Sequence, residues 1–329
     1  MRSEPLIDAH VHLYPDSRTG AQAKDGYQIW EYGDDPGVRF DAGFGVLEEV
    51  GDRFADHGFD RVVVLQLFDA ISERSRILED LAAEGRTKGS PVEAAEVDSR
   101  LREALLAGNR WAVAATSGEP LLSAYVCIDP CILSQHVIAP HLAAMASLGA
   151  RGVKLHPVSQ GFRPADPRLT ALYDTCCELD LVVLAHSGPG HRYGASARPR
   201  EFALVLERWP NLRLVLAHLG GAAFVEAASL AADFPQVSFD LSEIIEWVGA
   251  PRAPSLECLV ETIQSIGVGR VMLGSDFPWY DPSATADKVS ALPGLSNAEK
   301  AALLGGSAVE ILRLERADLS TNPQTRQVP

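Results

Sequence analysis

Two textures alternate along the chain. Short apolar runs rich in β-branched residues recur at Pro5–Leu13 (PLIDAHVHL), Arg61–Leu67 (RVVVLQL), Leu121–Asp129 (LLSAYVCID) and Arg151–Pro157 (RGVKLHP). Four more follow at Leu181–Ser187 (LVVLAHS), Leu212–Leu219 (LRLVLAHL), Gln236–Ser242 (QVSFDLS) and Arg270–Asp276 (RVMLGSD). Longer segments lie between them, with apolar residues three and four apart, the spacing of an amphipathic helix. Ser134 is placed to cap a helix over 134–150, and Asp166–Pro167 to start one through DPRLTALYDTCCELD. Pro199–Trp209, Ala222–Phe234 and Pro254–Ile266 carry the same spacing. Near-continuously apolar strands alternating with helices predict a parallel sheet covered on both faces. Eight such units predict a closed (β/α)8 TIM barrel of the α/β class rather than an open doubly wound sheet. No glycine-rich fingerprint follows the first run, which argues against a dinucleotide fold.

Two connections exceed the rest, at about 14–60 and 68–120. The first holds Tyr14, Tyr27, Trp30, Tyr32 and a helix near Phe44–His57; the second holds a charged helical stretch from about Glu73 to Leu106, broken around Gly85–Pro91. Both follow the C-terminal end of a strand, where barrel active sites are built, so both are expected to wall or cover the site. The alternative for the second is a solvated or subunit-facing helical pair. Residues 1–314 read as one barrel, and 315–329 (ERADLSTNPQTRQVP) as a mobile tail.

Composition narrows the partners. The 329 residues are 47% hydrophobic and 22% charged, enough for a large core, and 29 Lys plus Arg against 44 Asp plus Glu leave a formal charge of −15. A nucleic-acid surface needs a basic stripe, so none is expected. The opening MRSEPLIDAH lacks the apolar segment of a signal peptide, and no membrane-length apolar run occurs. The five cysteines form no CxxC pair and read as reduced thiols. The expectation is a cytoplasmic protein with a small-molecule substrate and no nucleic-acid or membrane partner; homo-oligomerisation stays open.

The chemistry gathers at the ends of the runs. Residues two apart in a strand point the same way, so His10 and His12 project together. His186 ends the fifth run, His218 lies at the end of the sixth and Asp276 ends the eighth. In a barrel those ends converge on one mouth, and imidazoles with a carboxylate there suit a borderline divalent ion, Zn²⁺ first. Lys154 and His156 share parity and are expected to face inward; Asp8 shares parity with His10, either supporting the site from below or simply buried and hydrogen-bonded. His191 and Arg192, in SGPGHRYG, are placed to meet an anionic group, and Phe277, Pro278 and Trp279 to shape a pocket. His57, His136 and His141 lie away from the strand ends, and Cys176 and Cys177 sit mid-helix; none of these is given a role.

DAHVH, AHSG, AHLGG and LGSDFPW, in that order, resemble the amidohydrolase superfamily. The nearest likeness is to the amidohydrolase-related group that includes aminocarboxymuconate-semialdehyde decarboxylase and many metal-dependent hydrolases, over about residues 5–313 outside much of the two insertions. The resemblance implies one divalent ion held by His10, His12, His186 and Asp276, with His218 as base or partner of the bound water. Asp276 is then also a catalytic proton acceptor. For Lys154 it leaves two roles, a substrate contact shared with His156 or a carboxylated bridge between two metals; an ion pair with a barrel carboxylate is the third reading. The function first expected is a zinc-dependent hydrolase opening an amide, lactone or related small polar substrate. The alternatives are non-oxidative decarboxylation or hydration of an unsaturated carboxylic acid, and a non-catalytic metal-binding structural protein.

Overall fold

The computed structural model of the chain describes residues 4–26, 31–33, 37–85, 91–192 and 194–314, so Tyr27, Trp30 and the tail at 315–329 lie outside the described residues. Each of the eight expected runs holds one strand. They are β1 (Ile7–Val11), β2 (Arg61–Leu65), β3 (Leu122–Cys127), β4 (Gly152–Leu155), β5 (Val182–Ala185), β6 (Leu214–Leu216), β7 (Ser238–Asp240) and β8 (Val271–Met272). Their order in the sheet is their order in the chain, and every neighbouring pair is parallel. The segment after β8 shuts the seam. Ala9 N–H donates to the Leu273 carbonyl (3.0 Å), Asp276 N–H to His10 (2.8 Å) and His12 N–H to Phe277 (2.7 Å). The fold is a (β/α)8 barrel, as the run pattern predicts.

Alternation sorts the side chains into two cores. Val62, Val64, Val153, Leu155, Val183, Leu214 and Leu216 face the helices, whereas Ile7, Ala9, Val63, Leu65, Val182, Leu184, Val215 and Met272 fill the barrel. Ala308, Val309 and Leu312 of the last helix, Ser307–Leu312, pack on this inner set and close its lower end. One irregularity matters. Asp8 pairs with Val62 but Val11 with Val64, so β1 spends three steps where β2 spends two. This β-bulge reverses the alternation after Ala9. Asp8 and His10 therefore share parity in sequence but not a face of the sheet, contrary to the simple two-residue rule. The Asp8 carboxylate instead accepts the N–H groups of His10 (3.1 Å) and Ser275 (2.9 Å), bolting β1 to the segment after β8.

The insertions divide in role. The helix expected near 44–57 is present as a shorter, irregular helical run, tight at Leu47–Glu49 and wide at Gly51–Ala55, with Val50 helical between them; the Glu49 carboxylate accepts the Gly45 and Val46 N–H groups at its start. In the second insertion, helix Ala70–Ala83 packs on the short helix Pro157–Gln160 beyond β4 and walls the mouth. Helix Pro91–Thr116 lies against β3, and its Asn109 amide exchanges two hydrogen bonds with the Cys127 backbone (2.8 and 2.7 Å). Asp166 accepts the Arg168 N–H as expected of a helix start, and Ser255 caps Leu256–Ile266; Ser134 occupies the N-cap of Gln135–Ser147 without a side-chain bond. All five cysteines are unpaired. Among the described residues no helix is long and apolar enough to cross a membrane.

Candidate metal centre

Three of the expected ligands meet at the top of β1 and beyond β8. Asp276 Oδ1 lies 3.4 Å from His10 Nε2 and 3.3 Å from His12 Nε2. The opposite ring nitrogens reveal the tautomers. His12 Nδ1 faces the Leu65 carbonyl at 2.8 Å and His10 Nδ1 faces Asp240 Oδ2 at 2.9 Å. Both partners only accept, so both Nδ1 atoms carry the proton and both Nε2 atoms present lone pairs. Two lone pairs and a carboxylate oxygen, all buried, thus converge with no hydrogen of their own between them. Such a donor set fits a divalent cation, and the Nδ1 partners are the usual orienting contacts of metal-bound histidine. Gly274 makes the approach possible: a Cβ there would lie 2.8 Å from the His10 Cβ.

The remaining expected residues surround this group. Lys154 points inward, 1% exposed, and its Nζ donates to His10 Nε2 at 3.0 Å; burial, against the pull of Asp276 and Asp240, brings its pKa to about 8. His218 Nδ1 lies 3.1 Å from the Ser242 carbonyl, leaving Nε2 unprotonated, and burial lowers its pKa to about 4. His186 stands slightly apart from the three converging ligands. Its ring stacks on His156 (centroids 4.0 Å, 9°) and lies 4.9 Å from that of His218, and its buried Nδ1 has no hydrogen-bond partner. His156 faces inward by parity but also caps Pro157–Gln160, its Nδ1 accepting the Ser159 N–H at 3.3 Å. Trp279 meets His12 edge-on at 5.5 Å. The side chains of His191 and Arg192 lie outside the described residues.

Residues not singled out in the sequence complete the chamber. Asp240 accepts from His10 Nδ1, from the His218 N–H (2.9 Å) and from the Ser242 N–H (3.1 Å). Burial alone would raise its pKa, but the His10 imidazole and these bonds hold it at about 2. Glu243, 2% exposed, has a carboxyl oxygen grouped with His218 and Asp276, and its buried Oε2 has no partner. Burial, then the charges of Glu31 and Asp276, push its pKa well above the carboxylate range. Tyr14 adds a buried hydroxyl without a partner. Asp240 was findable, since it ends the seventh run as His186 ends the fifth; Glu243 and Tyr14 carry no local signal. Six described non-glycine residues have positive φ, and His218 (61°), Glu243 (62°) and Asp276 (62°) are three of them. Backbone strain thus concentrates at this chamber, a common property of functional sites.

A family model described as Amidohydrolase matches residues 7–314, the whole barrel. The chain belongs to the amidohydrolase family. This amidohydrolase is also similar to several solved structures. One is 5-carboxyvanillate decarboxylase from Sphingomonas paucimobilis, at 15% identity and TM-score 0.60 over 95% of this chain and 100% of the other. Another is an uncharacterized TIM-barrel protein from Bordetella bronchiseptica, at 16% and 0.66 over 96% and 99%. A third is dihydroxybenzoic acid decarboxylase from Polaromonas sp. JS666 with bound manganese, at 14% and 0.64 over 97% and 99%. At these identities the likeness concerns the fold. A comparison with curated proteins finds no match. Family membership makes the protein an enzyme of amidohydrolase type, and its described residues include a group that could hold a divalent cation.

Proposed function

We propose that this amidohydrolase removes the carboxyl group of a small aromatic or unsaturated carboxylic acid without redox chemistry. The observation that carries the reading is the gathering, around Asp276, of an inward lysine and a buried carboxyl, Glu243, whose pKa burial pushes up. Replacing a carboxylate by hydrogen releases carbon dioxide and delivers one proton to carbon. Lys154 offers the charge that holds the substrate carboxylate, and Glu243 holds a proton at Oε1 or Oε2 within the same chamber. His218, neutral and unprotonated at Nε2, takes and returns a proton on a neighbouring polar group of the substrate. His156 and Trp279 supply flat contact surfaces, and Tyr14 a hydroxyl donor. We assign His10, His12, Asp276 and His186 as the residues that would hold a divalent ion, which when bound supplies Lewis-acid polarisation of the substrate oxygen. The unpartnered His186 Nδ1 supports its inclusion. Imidazole donors suit Zn²⁺, and the manganese of the Polaromonas decarboxylase makes Mn²⁺ equally worth loading. Two of the solved relatives named above are decarboxylases, which further supports this order of preference.

Hydrolysis of an amide or lactone, the first expectation from sequence, is the second reading. The base form of His218 favours it, since Nε2 suits proton removal from water while Glu243 protonates the leaving group. The deciding experiment loads the protein with Mn²⁺ or Zn²⁺ and offers two panels. Hydroxybenzoates and unsaturated acids are followed for carbon dioxide release; amides and lactones are followed for acid production. Acid production without carbon dioxide from any carboxylate would replace the decarboxylase reading with hydrolysis, and inactivity of the fully loaded protein on both would favour a non-catalytic role.

A further inference from the structure

Glu31 belongs neither to the barrel nor to the ligand group. It stands in the connection after β1, yet its carboxylate lies between the loops that follow β5 and β6. Oε1 accepts the Ala222 N–H at 2.6 Å. A Cβ added to Gly221 would fall 1.6 Å from Oε1, and one added to Gly188 would fall 2.6 Å from Oε2, so both glycines leave space that this carboxylate fills. Gly188 is two residues past His186, and Gly221 three past His218. The His218–Gly221 stretch runs through four consecutive positive φ angles, 61°, 49°, 85° and 57°, a left-handed path between β6 and the helix at Phe224–Asp233. The neighbouring Tyr32 is fully buried, stacks on Trp247 (5.4 Å, 15°), and accepts the Arg252 N–H at its carbonyl (3.0 Å). Residues 31–32 therefore grip the loops after β5, β6 and β7 together.

We propose that Glu31 is a positioning residue, a carboxylate wedge from the first insertion that holds the His186 and His218 loops in place against each other. The inference is independent of which reaction the enzyme performs. Its cobalt readout rests on the metal-centre reading, whereas its amide-exchange readout does not, so the two can fail separately.

The test compares the wild type with Glu31→Ala, Glu31→Gln, Gly188→Ala and the Glu31→Ala/Gly188→Ala pair. Hydrogen exchange is read at the Ala222 amide, and the visible spectrum and affinity of added Co²⁺ report the ligand geometry. Glu31→Ala is expected to lower Ala222 protection roughly tenfold or more, as for a buried N–H left without its acceptor, and to shift the Co²⁺ spectrum. Glu31→Gln keeps an oxygen on the Ala222 N–H and is expected to restore both. Gly188→Ala, which puts a methyl group where the carboxylate lies, is expected to reproduce the Glu31→Ala effects, and the double variant to be no worse than either single one. Unchanged exchange in Glu31→Ala, or full addition of the two effects in the double variant, overturns the wedge. Lost protection with an unaltered Co²⁺ site overturns the positioning role. Failure of the wild type to take up Co²⁺ would instead overturn the metal centre, and the exchange data would still decide the wedge.

Discussion

Asp240→Asn tests how the barrel prepares His10 for a metal. The native carboxylate uses Oδ2 for His10 Nδ1 (2.9 Å) and Oδ1 for the N–H groups of His218 and Ser242 (2.9 and 3.1 Å). An amide has one acceptor and one donor end. If its NH₂ faced the two backbone N–H groups, donors would meet donors that cannot change. The lower-energy choice turns the NH₂ toward His10, whose ring answers by moving its proton from Nδ1 to Nε2. That proton then points at Asp276 and occupies the lone pair a metal needs. Loss of such an orienting contact typically costs about 10–100-fold in metal affinity, or about 1.4–2.7 kcal/mol. The substitution is isosteric but replaces a carboxylate whose pKa the fold holds at about 2, so the metal-free protein should melt below the wild-type temperature while keeping its far-ultraviolet circular dichroism. Competition titrations with Zn²⁺ and Mn²⁺ against a chromophoric chelator measure the affinity, and ¹⁵N spectra of the ring report the tautomer. Wild-type affinity in Asp240→Asn, or an unmoved His10 proton, would refute the argument.

His12→Ala is expected to strip the metal while leaving the far-ultraviolet circular dichroism intact, because the ring lies beyond the end of β1; full metal occupancy in that variant would reject the ligand assignment. His218→Asn should keep the metal and lose about 10²–10⁴-fold in turnover, whereas His186→Asn should lose metal affinity first, and zinc titration with steady-state kinetics separates them. Glu243→Gln should lower kcat by a similar factor with little change in metal content, since the amide fills the space but holds no transferable proton; kinetics on whichever substrate the panels identify checks this. Asp8 adds a pH signature. Burial raises its folded pKa to about 7 from 3.8, so its protonated form favours folding, and that contribution is full below pH 3.8 and lost as pH rises through 7. Asp8→Asn should therefore gain stability relative to wild type between pH 4 and 8, measured by urea unfolding at fixed metal; a pH-independent difference would contradict the shift.

Much of this molecule is written in local pattern. Eight apolar runs with intervening helical spacing predict the barrel because alternation and amphipathicity depend on neighbours a few residues away. The same locality places His10, His12, His186, His218 and Asp276 at strand ends, and strand ends in a parallel barrel share one mouth. Helix starts were legible where the capping side chain acts within three residues, as at Asp166.

What the tertiary structure decided involves partners far apart in sequence. The bulge in β1 arises from pairing with β2, fifty-odd residues on, and it alone turns Asp8 away from the face that His10 occupies. The proton positions on His10, His12 and His218 follow from acceptors on β7, β2 and the segment after β7, which no spacing within the histidine motifs encodes. Glu243 has its pKa raised by burial and by two carboxylates from other segments, and Glu31 reaches the His218 loop across 191 positions of chain. A sequence window shows which side chains a strand offers; only the closed barrel, by removing water and choosing each partner, determines where their protons reside.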